Sequence, residues 1–152
     1  MSMIVGPLQK RRYNLPIPKI LCLLIIFFTD SASARPNSPC VGLYNHVNGV
    51  DRKLISINIQ RYLSDKSIDV VELYSINNWY FVHVASEKTD DAFLFFNQNP
   101  IKRRPISVWA GAARLDEGAS IRRWVSSNVP GIPNRLAKCF SWRVTVGRAD
   151  LP

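Results

Sequence analysis

At 152 residues, 47% of them hydrophobic, the chain has room for one small core and not for two. Its formal net charge of +9 favours acidic partners or anionic surfaces, and it also aids solubility. No internal repeat and no low-complexity block interrupts it.

The chain begins with a basic stretch, Lys10-Arg11-Arg12 with Lys19, followed by an apolar run from Ile20 to Phe28 and then Ala32-Ser33-Ala34. A charged region, a short apolar region and a small-x-small exit predict a cleaved secretory signal peptide over residues 1–34. As a helix the apolar run would span roughly 14 Å, about half of what a membrane crossing needs, so no span is expected after cleavage. Arg11-Arg12-Tyr13-Asn14-Leu15 carries the twin arginine of a folded-export signal without the usual aromatic at Asn14, so the general and twin-arginine routes both stay open. Cys22 follows Ile20-Leu21 rather than the small pair a lipidation site wants, and the apolar run continues past it. The expected address is the periplasm or the extracellular space. Residues 35–152 keep sixteen bases and ten acids, a net +6, and no run of more than three bases.

Cleavage would remove Cys22 and leave Cys40 and Cys139, an even pair that in an exported chain reads as one disulfide. Closing a loop of that length is worth up to about 4.7 kcal/mol in the chain-entropy model. Residues 35–49, starting Arg-Pro-Asn-Ser-Pro, read as an extended N-terminal segment that this bond ties to a C-terminal helix. Residues 50–152 read as a single domain.

Asp51 is the expected N-cap of a helix running to Ser64, with Leu54, Ile55, Ile59, Tyr62 and Leu63 on one face. A strand competes for the same residues, because Ile55, Ile57 and Ile59 alternate with polar neighbours. Strands follow at 68–76 and 79–85, joined by Asn77-Asn78, two residues that tolerate positive φ and suit a tight hairpin. Phe93-Leu94-Phe95-Phe96 and 106–110 complete a four-stranded antiparallel meander. These strands are apolar on both faces. Either helices cover one face and the N-terminal segment the other, or one face is left for a partner. Asp116 and Glu117 open a helix with Ile121, Trp124, Val125 and Val129 on one side and Arg122 and Arg123 opposite. Pro133 suits the first position of a second helix, with Leu136, Cys139 and Phe140 facing the core. Trp142, Val144 and Val146 alternate as a short final strand would. The fold class is therefore α+β: an N-terminal helix, a four-stranded antiparallel meander, two C-terminal helices and one disulfide.

Chemistry-bearing residues are sparse. Two histidines occur, His46 in the loop Tyr44-Asn45-His46-Val47-Asn48-Gly49 and His83 within the densest strand, where a satisfied core role is expected. No His-x-x-x-His, Cys-x-x-Cys or Asp-rich calcium loop appears, so neither a metal nor another cofactor is expected. Glu72 stands between Val71 and Leu73 on the face of Val70 and Tyr74, where it would either pair with a basic residue across the sheet or mark an edge strand. Gly111-Ala112-Ala113 suits close strand-to-helix packing better than anion binding, since Asp116 and Glu117 follow it. Lys102-Arg103-Arg104 lies in a hairpin loop where it would meet an acidic protein or another cell-envelope component. Nucleic acid is not expected, because the aromatics fall in core-like patterns rather than a stacking platform.

These features point to a small exported non-enzymatic protein that acts by macromolecular binding, of inhibitor or immunity-protein type. Lys102, Arg103, Arg104 and His46 are its candidate contacts. Two alternatives stand beside it. One is a small cell-wall glycoside hydrolase using Glu72 with Asp90 or Asp116. The other is a structural envelope homodimer.

Overall fold

Asn77 and Asn78 both adopt positive φ, 49° and 65°, and this two-residue turn sets the register of the hairpin at the centre of the molecule. The computed structural model describes residues 38–45 and 47–147; the expected cleavage site and His46 lie outside the described residues. The elements are α1 (Gly49–Leu63), β1 (Asp69–Ile76), β2 (Trp79–Ala85), β3 (Ala92–Phe96) and β4 (Ser107–Ala110). A 3-10 turn (Leu115–Glu117), α2 (Gly118–Asn128) and α3 (Asn134–Thr145) complete them. The strands form one antiparallel sheet in the order β1-β2-β3-β4. This is an α+β fold.

Helices lie on both sides of the sheet, and both of its faces are buried. On one side Ile55 and Ile59 of α1 pack with Val70, Leu73, Val82, Val84, Leu94 and Phe96. On the other, α2 and α3 supply Ile121, Val125, Leu136, Phe140 and Val144 against Tyr74, Phe81, Phe93 and Phe95. Neither expected arrangement holds: no face is left for a partner, and it is α1 rather than the N-terminal segment that covers the face opposite the C-terminal pair. Phe140 is the hub of the second layer. Its ring meets Phe93, Phe95, Phe81 and Trp109 edge-on, with centroids 4.8–5.6 Å apart.

Three sequence-derived details are settled, the first two against the expectation and the third in favour of the expected helix. The N-cap of α1 is Asn48, whose side chain accepts from the Asp51 N–H, so the cap lies three residues ahead of the expected Asp51. No final strand forms at 142–146, because α3 runs through Thr145. Leu136, Phe140, Arg143 and Val144 share one helical stripe, and burying that stripe outweighs the local alternation. Third, Ile57 points outward at 40% exposure while Ile55 and Ile59 are buried, so the apparent strand alternation is a helix that is apolar on two sides.

The edge strand β1 is covered rather than open. Arg52 and Gln60 of α1 donate to the carbonyls of Val70 and Ile68. The Asn45 N–H donates to the Leu73 carbonyl and the Ser75 N–H to the Leu43 carbonyl. Unpaired edge groups invite association with other chains, and these contacts occupy the carbonyls of Val70 and Leu73 and the N–H of Ser75. Cys40 and Cys139 form a disulfide that fixes the segment around Cys40 to α3.

Candidate functional site

Two places in the fold gather the residues that could act: a polar cluster under α3 and an exposed surface along α1. The cluster begins with an irregularity in β1. The register shifts between Val70 and Glu72, leaving Val71 as a bulge. Strict alternation would put Val70, Glu72 and Tyr74 on one face. Instead Val70 turns toward α1, while Glu72 lies opposite His83 beneath α3.

His83 is 4% exposed and stacks on Phe93, with centroids 4.4 Å apart and planes 6° from parallel. Its Nε2 lies 3.0 Å from Asp91 Oδ2, and its Nδ1 lies 3.6 Å from Glu72 Oε2, within ion-pair reach but too far for a hydrogen bond. Arg143 Nε donates to the same Glu72 oxygen at 2.7 Å, and Arg143 Nη1 donates to the Gly147 carbonyl. Burial pushes the Glu72 carboxyl up, but the contacts to His83 and Arg143 outweigh it and hold the group below its ordinary value. Burial works against the Arg143 charge, and Glu72 more than restores it. A cavity of about 20 Å³, room for one water molecule, opens beside His83, Asp91, Trp109 and Arg143.

This arrangement bears on carboxylate chemistry. Asp91 is the acid that shares the site with Glu72, rather than Asp90 or Asp116, and the imidazole of His83 stands between the two carboxylates. Glu72 is held ionised by an arginine, the opposite of the raised pKa that a general acid needs. Its basic partner comes from the helix above the sheet rather than from a neighbouring strand. The cluster holds α3 to the sheet. Among the described residues no group of three or more His, Cys, Asp or Glu is placed to hold a metal ion.

The second place is the outer side of α1. Val50, Leu54, Ile57 and Tyr62 are exposed there by 40% or more. Asn58, between them, donates to the carbonyls of Pro100 and Arg103 at 2.8 and 2.7 Å. These two bonds fix the loop of Lys102, Arg103 and Arg104 against the helix, and all three bases are exposed. Leu54, Arg61 and Tyr62 are the i−4, i+3 and i+4 neighbours of Asn58, so they border the loop. A groove of about 270 Å³ continues the surface past the start of α1, lined by Asn48, Asp51, Tyr80, Asn99 and Ile101 among others. The sequence singled out the three bases. It gave no sign of Asn58, because one amide on a helix carries no motif.

The fold and this surface define a class: a small α+β domain with its sheet covered on both sides and an apolar-basic face on its first helix. No family model, no curated protein and no solved structure matches the chain.

Proposed function

We propose that the protein is a small exported, non-enzymatic binding protein of the inhibitor or immunity-protein type, and that it docks an acidic protein through α1 and the Lys102-Arg103-Arg104 loop. The observation that carries this reading is the pairing of exposed Leu54, Ile57 and Tyr62 with a basic loop that Asn58 locks in place. Apolar anchors surrounded by charge are the composition of a protein interface, and a preordered loop lowers the entropy lost on docking. Export is supported by the basic and apolar pattern of residues 1–34, and the Cys40–Cys139 disulfide is compatible with an oxidising compartment.

The test is affinity capture from native envelope extract with the wild-type chain and with the variant Lys102→Ser/Arg103→Ser/Arg104→Ser. One stoichiometric partner, lost or weakened at least tenfold in the variant and more salt-sensitive in the wild type, supports the reading. A partner held equally by both forms removes the loop from it. The N-terminus of protein recovered after expression tests the address separately, with Arg35 as the expected first residue.

A further inference from the structure

The two C-terminal helices carry no Asp or Glu, yet they hold Arg122, Arg123, Arg135, Lys138 and Arg143. Arg143 is paired with Glu72, while Arg135 is tied to the neutral Val41 carbonyl and keeps its charge. Arg122, Arg123 and Lys138 are exposed, and none of them is in an ion pair among the described residues. The nearby acids Asp116 and Glu117 share Arg114, so that group keeps one negative charge against the three positive charges of Arg122, Arg123 and Lys138. This leaves a positive surface on the side of the sheet opposite α1.

The shape of that surface narrows its occupant. A groove of about 530 Å³ between α2 and α3 is lined by Arg122, Arg123, Lys138, Ser126, Ser127 and Asn134, with Ala119 its one apolar side chain. A second trough of about 430 Å³ shares Arg122 and Lys138 and is walled by Leu115, Trp142, Val146 and Pro39. Leu115 is 71% exposed and Val146 40%. Cations and hydroxyls thus adjoin an apolar strip with a tryptophan. That combination suits the boundary between anionic headgroups and acyl chains, where bases meet phosphates and apolar side chains enter the boundary layer.

We propose that the α2–α3 face docks on an anionic lipid surface. Arg122, Arg123 and Lys138 contact headgroup phosphates, while Leu115 and Val146 enter the boundary layer. This site is separate from the α1 surface and does not depend on the function assigned to it.

The experiment uses the full chain with nanodiscs of phosphatidylglycerol or phosphatidylcholine carrying a small fraction of gadolinium-chelate lipid. Paramagnetic broadening is read residue by residue, so any membrane affinity of residues 1–34 does not confuse the result. Broadening is expected at Leu115, Ser126, Ser127 and Val146 on phosphatidylglycerol, and not at Lys53 or Ile57. In Arg122→Ser/Arg123→Ser/Lys138→Ser it should fall to the phosphatidylcholine level, with vesicle affinity lower by on the order of 100-fold. Leu115→Ser keeps every charge and should weaken binding severalfold. All four positions are exposed, so an unchanged far-UV spectrum is expected. Broadening centred on α1, or an unaltered pattern in the triple variant, overturns the proposal. Competition by millimolar glycerol 1-phosphate together with a silent Leu115→Ser also overturns it, by making a free phosphate the ligand.

Discussion

Glu72 is the residue on which most of the buried polar chemistry turns. Its carboxylate takes the Arg143 guanidinium directly and the His83 ring at longer range, and Arg143 is 5% exposed. Removing one member of such a pair leaves a charge without its counterion, which costs about 3–5 kcal/mol, whereas removing both costs much less. Arg143→Met is therefore expected to lower unfolding free energy in urea by about 3 kcal/mol. Adding Glu72→Gln should restore a good part of that loss. Acid has a related effect. The folded Glu72 carboxyl lies below its ordinary value, and Asp65 is lowered to about 2, chiefly by hydrogen bonds from Ser86 and Ser67. A group with a depressed folded pKa contributes stability that is whole above its unfolded pKa and lost as pH falls through the folded one. For Asp65 that window runs from roughly pH 4 down to 2. The urea midpoint should fall across this acid range, and more shallowly in Glu72→Gln. An equal slope in wild type and variant would show that Glu72 is not part of the linkage.

At the scale of elements, the hairpin and the loop bound to α1 respond to single substitutions. Asn78 sits at φ 65°, where a β-branched residue is strained and glycine is at ease. Asn78→Gly should hold or raise stability by a few tenths of a kcal/mol, and Asn78→Val should cost about 1–2 kcal/mol, read from thermal midpoints. Asn58→Ala removes two hydrogen bonds that fix the basic loop, with a net cost of about 1–2 kcal/mol. Its larger expected effect is on the loop itself. Amide exchange at Lys102, which donates to the Asn99 carbonyl, should quicken while exchange in β2 stays slow. If partner affinity survives that loosening unchanged, preordering of the loop is not what α1 supplies.

For the whole molecule, the long-range tie is the Cys40–Cys139 bond, with 99 positions between its ends. Cross-linking a loop of that size stabilises by up to about 4.7 kcal/mol, so reduction should lower the thermal midpoint by many degrees without changing the fold of the described core. A midpoint indifferent to reductant would mean that the sheet and its helices alone hold the N-terminal segment. The strand meander, the asparagine turn and the disulfide pair were legible in the chain, and Pro133, expected as the first residue of the last helix, is instead its N-cap. Each legible feature depends on neighbours within a few residues, or on the two cysteines that remain once Cys22 is assigned to the expected leader. The final helix was legible only at its start, since the alternation of Trp142, Val144 and Val146 suggests a strand until Phe140 and Arg143 find their partners. The identity of the charged loop could be read locally, but its seat on Asn58 could not. Likewise, the bulge at Val71 brings Glu72 to His83, and Arg143 arrives from 71 positions away. Local pattern determined which segments became helix and strand, because burial periodicity and turn chemistry act over short spans. Only the tertiary structure decided which charges meet, that both sheet faces are covered and which surfaces remain open, because those depend on how distant segments pack.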